Sequence, residues 1–344
     1  MKRVIGYVNT VDLARVREQD IRCLDVINIA FAQVKDGCVV WDARDSQENL
    51  KQIRTVSCDI KILLSVGGWG ADGFSQAAMT REGREKLAES AAALVTEYGL
   101  DGLDIDWEYP GSSIAGIQSH KEDKKNFTLL LKALRERLDG VRTGLLLTIA
   151  AGGDTYFTMQ TNMAEVSRYV DYVQLMTYDL QGGFQKVTGH HAALYPGRSN
   201  LIDSCMDKAV RVFGEAGLPE EKMVVGVPFY SRKWEGIKDG GDGLGREAAT
   251  VGGYGPDYGT LVESYINKNG YHRYWDKEAR VPYLFDGSTF ISYEDQESLA
   301  GKIAYIGEKG LGGIMFWEYK CDSTGTLISF IRQEIDKQAE GGRE

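Results

Sequence analysis

The sequence has no long hydrophobic run and no excess of basic residues. No apolar stretch, at the amino terminus or elsewhere, is long enough for a signal-peptide core or a membrane span. The 40 Lys and Arg residues are outnumbered by 50 Asp and Glu residues, which gives a formal net charge of −10. This balance argues against nucleic acid or an anionic membrane as a partner, because both repel an acidic surface. A neutral or cationic ligand suits the chain better.

Regularly spaced cysteine pairs are also missing. The five cysteines, at positions 23, 38, 58, 205 and 321, are odd in number, widely spaced and without a Cys-x-x-Cys pair. We therefore expect reduced, mostly buried thiols, as in a cytosolic protein. The expected location is cytoplasmic if the 344 residues are the full chain, and secreted if the sequence starts at the mature domain.

Strand-like and helical segments alternate along the chain. Many of the strand-like segments are continuously apolar, as expected for parallel strands that are covered on both faces. The predicted strands are Arg3–Val8, Val26–Val34, Lys61–Gly68, Gly99–Glu108, Leu145–Gly152, Tyr169–Asp179, Met223–Tyr230 and Gly313–Tyr319. The predicted helices include Thr80–Tyr98, Ser119–Leu138, Leu201–Ala216, Tyr293–Lys309 and Thr326–Lys337. This alternation predicts an α/β protein with a (β/α)₈ barrel architecture.

One interval, residues 233–292, interrupts the alternation after the seventh predicted strand. It is rich in Gly, Tyr and Trp, and it contains two short strand-like pieces, Tyr271–Asp276 and Val281–Asp286. Its glycines are not followed by Gly-Lys-Ser/Thr, so they do not form a phosphate-binding loop. The interval is too long for an ordinary loop. We therefore predict a small α+β lobe at 233–292, inserted into a barrel formed by residues 1–232 and 293–344.

The segment Asp101-Gly-Leu-Asp-Ile-Asp-Trp-Glu108 carries the clearest chemical signal. Alternate residues of a strand share a face, so the acids Asp104, Asp106 and Glu108 point one way while the apolar residues between them pack inward. Mutual repulsion is expected to raise the pKa of the last acid, which makes it a proton donor near neutral pH. A solvated edge strand would not bury Leu-x-Ile-x-Trp on its other face. A calcium loop would need a turn with Gly at its bend.

Four other predicted strands also end in polar or aromatic residues, where a barrel places its chemistry. Aromatic rings around carboxylates suit a sugar, because the rings cover its C–H faces and the acids bind its hydroxyls and glycosidic oxygen. These strand ends are Ser65-Val-Gly-Gly-Trp69, Gln174-Leu-Met-Thr-Tyr-Asp179, Tyr230-Ser-Arg232 and Met315-Phe-Trp-Glu-Tyr319.

Taken together, these motifs resemble those of family 18 glycoside hydrolases, the chitinases. The Asp-x-x-Asp-x-Asp-x-Glu motif of that family is complete at Asp101–Glu108, Ser-x-Gly-Gly lies at Ser65–Gly68, and Gln-x-Met-x-Tyr-Asp lies at Gln174–Asp179. The long insertion is similar to that of the subfamily with a deep substrate cleft. The resemblance implies hydrolysis of β-1,4 bonds between N-acetylglucosamine units with retention, through an oxazolinium intermediate and without a protein nucleophile.

The resemblance also implies roles for individual residues. Glu108 is expected to protonate the glycosidic oxygen, Asp106 to hold the acetamido N–H, and Asp104 to pair with Asp106, while Tyr178 orients the acetamido oxygen. Expected substrate contacts are Tyr7, Phe31, Trp69, Met176, Asp179, Tyr230, Arg232 and Trp317. For Tyr7, Phe31 and Met176, ordinary barrel core is an equally good interpretation. Structural roles are expected for Asp101, Ser65, Gly67 and Gly68.

The implied chemistry needs no cofactor and no metal. The pair His190-His191 has no third ligand at metal spacing, so we interpret it as part of a loop that lines the cleft. The implied partners are chitin or chito-oligosaccharides, and the protein is expected to be a monomer. Two alternatives are a non-catalytic sugar-binding relative and an endo-β-N-acetylglucosaminidase that acts on N-glycans or peptidoglycan. The intact acids Asp106 and Glu108 oppose the first, while Trp107 and the insertion oppose the second.

Overall fold

The computed structural model describes residues 2–197, 203–238 and 241–341. Within these ranges it contains fourteen β-strands and eleven α-helices. The strands are β1 (Arg3–Asn9), β2 (Val26–Lys35), β3 (Cys38–Val40), β4 (Lys61–Gly67), β5 (Gly102–Asp106), β6 (Leu146–Gly152), β7 (Tyr172–Met176), β8 (Met223–Pro228), β9 (Tyr230–Glu235), β10 (Gly253–Asp257), β11 (His272–Asp276), β12 (Val281–Phe285), β13 (Thr289–Ser292) and β14 (Gly313–Trp317). The helices are α1 (Glu18–Ile21), α2 (Ser46–Val56), α3 (Phe74–Met79), α4 (Arg81–Glu97), α5 (Asp123–Val141), α6 (Thr155–Met159), α7 (Met163–Val166), α8 (Met206–Glu215), α9 (Tyr258–Ser264), α10 (Gln296–Glu308) and α11 (Thr326–Gly341).

Eight of these strands form the barrel that the sequence predicts. Their order is β1-β14-β8-β7-β6-β5-β4-β2, and a further β1–β2 pairing joins the last strand to the first. The pairs β1–β2, β2–β4, β4–β5 and β5–β6 are all parallel. The prediction of an α/β fold with a (β/α)₈ barrel is therefore confirmed.

The burial of the barrel strands explains why they could be predicted from unbroken runs of apolar residues. β4 is buried from Ile62 to Gly67, and β8 is buried along its whole length. A strand that is covered on both faces has no solvent-facing positions, so it needs no alternating polar residues. Helix α5 shows the complementary pattern, because it buries one apolar stripe, while its charged residues other than the buried Asp123 are exposed or half-buried.

The element bounds differ from the sequence prediction at two places that matter for the site. β5 ends at Asp106, whose last barrel pairing is with Gly67, so Glu108 lies beyond the strand. The alternation along a strand therefore places Asp104 and Asp106 on one face but does not extend to Glu108. The predicted start of a helix at Leu201 lies outside the described residues, and α8 begins at Met206.

The chain divides into two compact units. The first unit comprises Ile5–Leu175 and Val212–Val224, and it contains the acidic segment at the end of β5. The second unit comprises Met1–Val4, Met176–Arg211 and Val225–Glu344. Its five-stranded antiparallel sheet has the order β10-β9-β13-β12-β11. That sheet starts at Tyr230, so Tyr230 and Arg232 belong to β9 rather than to the end of a barrel strand.

An apolar cluster supports the antiparallel sheet. Its buried members are Trp234, Ile237, Leu244, Ala248, Tyr283, Phe285 and Phe290, with Tyr274 packed against them. Tyr283 stacks on both Tyr274 and Phe290, with ring centroids 5.2 Å and 5.0 Å apart. This cluster gives the segment predicted as a lobe a core of its own.

The cysteines and the helices bear on two further expectations. All five cysteines lie in the described ranges, and no disulfide joins them. Only Cys205 and Cys321 are buried, while Cys58 is exposed, so the expectation of mostly buried thiols is wrong for three of the five. None of the helices described above combines the length and apolar character that crossing a membrane requires.

Candidate active site

Asp104 lies at the centre of a buried hydrogen-bond network in the first unit. Its Oδ2 accepts from the hydroxyls of Tyr7 and Ser65, at 2.8 Å and 2.7 Å. Its Oδ1 accepts from the Thr148 hydroxyl at 2.7 Å and from the Gln174 amide at 2.8 Å. The donors come from β1, β4, β6 and β7, so four barrel strands converge on one carboxylate. These contacts occupy all the acceptor positions of the carboxylate without water.

Asp106 is in a different environment from Asp104, although it is only two residues away. Asp106 is buried, and within the part of the chain that the structure describes its Oδ1 has no hydrogen-bond partner. Burial, and then the charges of Glu108 and Asp104, raise the pKa of Asp106 well above its ordinary value. Burial also raises the pKa of Asp104, but its four donors act in the opposite direction. The arrangement therefore favours a proton on Asp106.

The Ser-x-Gly-Gly motif shapes the backbone beside these acids. A Cβ at Gly67 would lie 1.9 Å from the backbone oxygen of Asp106, and a Cβ at Gly68 would lie 2.8 Å from the Phe31 ring. Both glycines also have positive φ, at 123° and 92°. The Gly68 N–H donates to the Asp106 backbone oxygen at 2.9 Å. The motif thus brings β4 against the end of β5, while Ser65 supplies one of the Asp104 donors.

Glu108 is buried immediately after β5. The adjacent Trp107 is directed into apolar packing, where it stacks on Phe74 at 5.4 Å and meets Phe127 edge-on at 5.7 Å. Burial, together with the neighbouring Glu108 and Asp106 carboxylates, raises the pKa of Tyr109 well above its ordinary value. Tyr109 is therefore a neutral phenol beside Glu108, and the sequence analysis did not identify it.

Asp101, the first acid of the motif, lies in a cluster of basic side chains. Its Oδ2 accepts from Arg54 Nη2 at 2.8 Å and from the backbone N–H of Ile62 at 3.0 Å. Its Oδ1 lies 3.4 Å from Arg142 Nη2 and 3.8 Å from Lys61 Nζ. These contacts support the structural role that the resemblance implies for Asp101.

Two exposed or partly buried aromatic residues of the first unit were also named in the sequence analysis. Trp69 follows β4 and is 57% exposed, and its indole meets the Tyr109 ring edge-on at 6.3 Å. Phe31, on β2, is half-buried beside Gly68. Tyr7, by contrast, is buried and bonded to Asp104, which favours its interpretation as barrel core.

In the second unit, Asp179 and Arg232 form a bidentate ion pair. Arg232 Nε donates to Asp179 Oδ1, and Arg232 Nη2 lies near Oδ2, both at 2.7 Å. Burial alone would raise the pKa of Asp179, but His191 and Arg232 together lower it below its usual range. Asp179 is therefore a stable anion that keeps the guanidinium group in one orientation.

Tyr178 lies next to this pair and is half-buried. Its ring meets the buried Tyr230 ring edge-on, with centroids 6.2 Å apart, and its hydroxyl contacts Met315 Sδ at 4.0 Å. Met176 and Trp317, at the ends of β7 and β14, are also half-buried. Met176, Tyr178 and Trp317 therefore each keep part of their surface accessible, while Tyr230 is buried.

The side chains of the histidine pair lie in the interior. Both are buried, so the imidazoles do not themselves line a cleft, while the interpretation of their loop as part of the cleft stays a prediction. His190 Nε2 lies 3.0 Å from Asp276 Oδ2, at the end of β11, while His191 Nδ1 lies 3.5 Å from Asp179 Oδ1. Two polar residues in a loop suggest exposure, but here acidic partners that are distant in sequence accommodate them in the interior.

Two strongly exposed aromatic residues of the second unit were missed as well. Phe184 is 74% exposed, and Tyr254 is 71% exposed with its ring over the Arg232 guanidinium. Tyr254 lies in the interval 233–292, which the sequence predicts as a lobe from its composition, and the one local signal at Phe184 is the preceding pair Gly182 and Gly183.

Comparison with known proteins identifies the family. The model of the glycosyl hydrolases family 18 matches residues 3–322. Chitinase A1 of Niallia circulans is 40% identical over 307 residues, which cover 83% of this chain but 44% of that protein. Chitotriosidase-1 of Mus musculus is 32% identical over 319 residues, covering 86% of this chain and 68% of that protein.

Solved structures agree. A family 18 N-acetylglucosaminidase from Paenibacillus barengoltzii is 47% identical with a TM-score of 0.95, covering 97% of this chain and 100% of that chain. The chitinase ChiW of Paenibacillus sp. is 38% identical with a TM-score of 0.91, covering 97% of this chain and 42% of that chain. On the matched motifs, the barrel and these relatives, the chain belongs to glycosyl hydrolases family 18.

Proposed function

We propose that this protein hydrolyses β-1,4 bonds between N-acetylglucosamine units of chitin or chito-oligosaccharides, and that it does so with retention. The observation that carries the proposal is the row of buried acids at the end of β5. Asp104 is saturated by four donors, Asp106 has a buried oxygen without a partner among the described residues, and Glu108 follows them. Such a row can hold and move a proton without any metal or cofactor.

The proposed steps use the substrate's own acetamido group. Glu108 donates a proton to the glycosidic oxygen as the carbonyl oxygen of the −1 sugar attacks the anomeric carbon. Asp106 holds the acetamido N–H and stabilises the resulting oxazolinium ion, while Asp104 stays anionic behind it. Tyr178 orients the acetamido oxygen. Glu108 then accepts a proton from water, which opens the ring and gives the retained product.

The remaining site residues would bind the sugar units. Asp179, Tyr230 and Arg232 would hydrogen-bond the −1 sugar and its neighbour, and Trp317 would support the −1 ring. Each of these residues follows or ends a barrel strand or the segment after it, which is where barrel enzymes carry their chemistry. We further propose that the protein acts as a monomer.

A second activity within the same chemistry is removal of single N-acetylglucosamine units from a chain end. It is favoured by the 47% identity to the Paenibacillus barengoltzii N-acetylglucosaminidase, a match that covers nearly all of both chains. The Niallia chitinase, in contrast, is more than twice as long as the segment that this chain matches. An endo-acting enzyme and an exo-acting enzyme would need the same acids. The two activities would therefore differ in how the sugar polymer enters the site.

Mass spectrometry of products from N-acetylglucosamine oligomers of defined length distinguishes these possibilities. Release of the monomer first from every length would indicate exo action, and release of internal fragments would indicate endo action. Cleavage of none of the oligomers by folded protein would contradict the proposed function, and binding without cleavage would favour the sugar-binding alternative.

Asp106→Asn is expected to change how stability depends on pH. A raised pKa in the folded state means that the folded protein keeps a proton that the unfolded chain has released. Wild-type stability should therefore fall as pH rises above the ordinary Asp value, by up to about 1.4 kcal/mol per pH unit for this group. The variant lacks this loss, so its free energy of unfolding should rise relative to wild type as pH increases. Urea unfolding of both proteins between about pH 5 and pH 8 measures the difference. A difference that stayed constant over this pH range would show that Asp106 is already ionised in the folded protein.

Trp69→Ala tests a further proposal, that the Trp69 indole stacks on the sugar unit of the leaving group. The indole is 57% exposed, so its removal should leave folding intact. Stacking on a sugar contributes through buried apolar surface, at roughly 25 cal/mol per Å². The variant should therefore lose kcat/KM on long oligomers, while small aryl-glycoside substrates that do not reach Trp69 should be turned over almost normally. Equal losses on both substrates would instead assign Trp69 to packing against Tyr109.

A further inference from the structure

We propose that Tyr254 is a sugar-stacking platform, which adds a binding site for one N-acetylglucosamine unit beside the sugar bound by Asp179 and Arg232. This inference rests on the proposed function and extends it to a residue of the second unit that the family motifs do not include. It is carried by the fixed position of an exposed ring on the antiparallel sheet.

Tyr254 is held by the residue directly across from it. β10 is an edge strand of the sheet, and its register pairs Tyr254 with Arg232 of β9, so the two side chains share a face. The guanidinium carbon of Arg232 lies 4.1 Å from the centre of the Tyr254 ring. At that separation the planar cation stacks on one face of the ring. The centre of the Tyr230 ring lies 5.5 Å from the centre of the Tyr254 ring, and the two ring planes are tilted by 57°.

The glycines around Tyr254 make this stacking possible. A Cβ at Gly255 would lie 2.4 Å from Ser231 Oγ, and a Cβ at Gly252 would lie 2.3 Å from the Trp234 ring. Only glycine lets β10 approach β9 this closely. The strand is thereby pressed against the sheet, and the tyrosine is the one large side chain that stands out from the segment Gly252–Gly255. In the residues that the structure describes, Tyr254 is among the most exposed large aromatic or aliphatic side chains, at 71%.

The Arg232 side chain is itself fixed, so the ring is preorganised. Arg232 is bound in a bidentate manner by Asp179, and its Nη1 donates to the Gly252 backbone oxygen at 3.3 Å. A ring stacked on an immobile guanidinium loses little freedom when a ligand covers its other face. An aromatic face of this kind suits the apolar C–H face of a pyranose. The same Asp179–Arg232 pair that is proposed to bind one sugar thus positions the platform for the next.

The consequence is a dependence of affinity on chain length. Short oligomers would occupy the sugar position bound by Asp179 and Arg232, and only longer ones would also reach Tyr254. Removing the ring should therefore weaken the binding of long oligomers and leave the binding of the shortest ones nearly unchanged. If Arg232 lost its fixed orientation, by contrast, the binding of oligomers of every length would weaken.

The experiment is a calorimetric titration of N-acetylglucosamine oligomers of increasing length, in a Glu108→Gln background so that they survive. Tyr254→Ala should weaken the binding of the longest oligomers about tenfold, which corresponds to the loss of contact with one buried sugar face. Tyr254→Phe, which keeps the ring, should match the parent, while Tyr254→Leu, which covers Arg232 without a planar face, should resemble Tyr254→Ala. Val251→Ala, a loss of apolar surface on the same segment, is the matched control and should match the parent.

Each contrary result has a distinct meaning. If Tyr254→Ala binds all lengths as the parent does, the platform does not exist. If Tyr254→Ala weakens the binding of oligomers of all lengths equally, or if Tyr254→Leu binds as tightly as the parent, then Tyr254 acts only by covering Arg232. Either result would show that the proposal is wrong. If the parent binds no oligomer and the wild type cleaves none, the proposed function fails and this inference fails with it. Because Tyr254 is exposed, unchanged thermal melting of the variants is expected.

Discussion

Glu108→Gln should lose at least ~10²–10⁴-fold in kcat on N-acetylglucosamine oligomers, because a general acid contributes about that much. Glutamine keeps the shape of the side chain, which is buried next to Trp107, so the protein should fold normally. It cannot transfer a proton to the glycosidic oxygen. Oligomer binding should persist, since the stacking and hydrogen-bonding residues are untouched.

Steady-state kinetics and calorimetry on the same preparation separate these two effects. Glu97→Gln, which changes an exposed glutamate at the end of α4, is the matched control and should keep wild-type kcat. Turnover near the wild-type value in folded Glu108→Gln would remove Glu108 from the mechanism. Loss of binding together with loss of turnover would instead indicate that Glu108 mainly holds the ligand.

The second large effect concerns the substrate. Fully deacetylated glucosamine oligomers should not be cleaved, because they lack the carbonyl oxygen that attacks the anomeric carbon in the proposed mechanism. They are cationic, and the chain has a net charge of −10, so weak association is not the expected reason for the failure. Acetylated oligomers of the same length are the control substrate. Thiazoline analogues of N-acetylglucosamine should inhibit competitively, because they mimic the oxazolinium ion.

Two outcomes would contradict this mechanism. One is hydrolysis of fully deacetylated oligomers at a rate comparable to that of acetylated ones. The other is a trapped ester between a sugar and a carboxylate of the protein, detected by mass spectrometry of the intact chain. Either result would replace the acetamido group with a protein nucleophile and would require a second acid placed opposite Glu108.

The barrel could be predicted from the sequence because its signals are local. Strands such as β4 and β8 are covered on both faces, so each one is a run of consecutive apolar residues that can be recognised in the sequence. The acid row was visible for the same reason, since its members lie within eight residues. The end of β5 was harder to predict, because it depends on where pairing with β4 stops, at Gly67 and Asp106.

The parts of the site that were missed depend on residues far apart in the chain. His190 and His191 can be buried because each lies beside a carboxylate, Asp276 and Asp179 respectively. No sequence pattern around position 190 reveals those partners. The four donors to Asp104 come from four strands, of which the sequence analysis had named only Tyr7 and Ser65 as site residues. Tyr254 becomes distinctive only when the register of β10 on β9 places it over Arg232.

The most direct measurement of the central claim is the anomeric form of the first product. Proton NMR recorded during the first turnovers of a fully acetylated N-acetylglucosamine oligomer shows the new reducing end before it equilibrates. Substrate-assisted attack inverts the anomeric carbon once and water inverts it again, so the account predicts the β-anomer in excess. An initial excess of the α-anomer would mean single displacement by water and would contradict the proposed roles of Asp106 and the acetamido group.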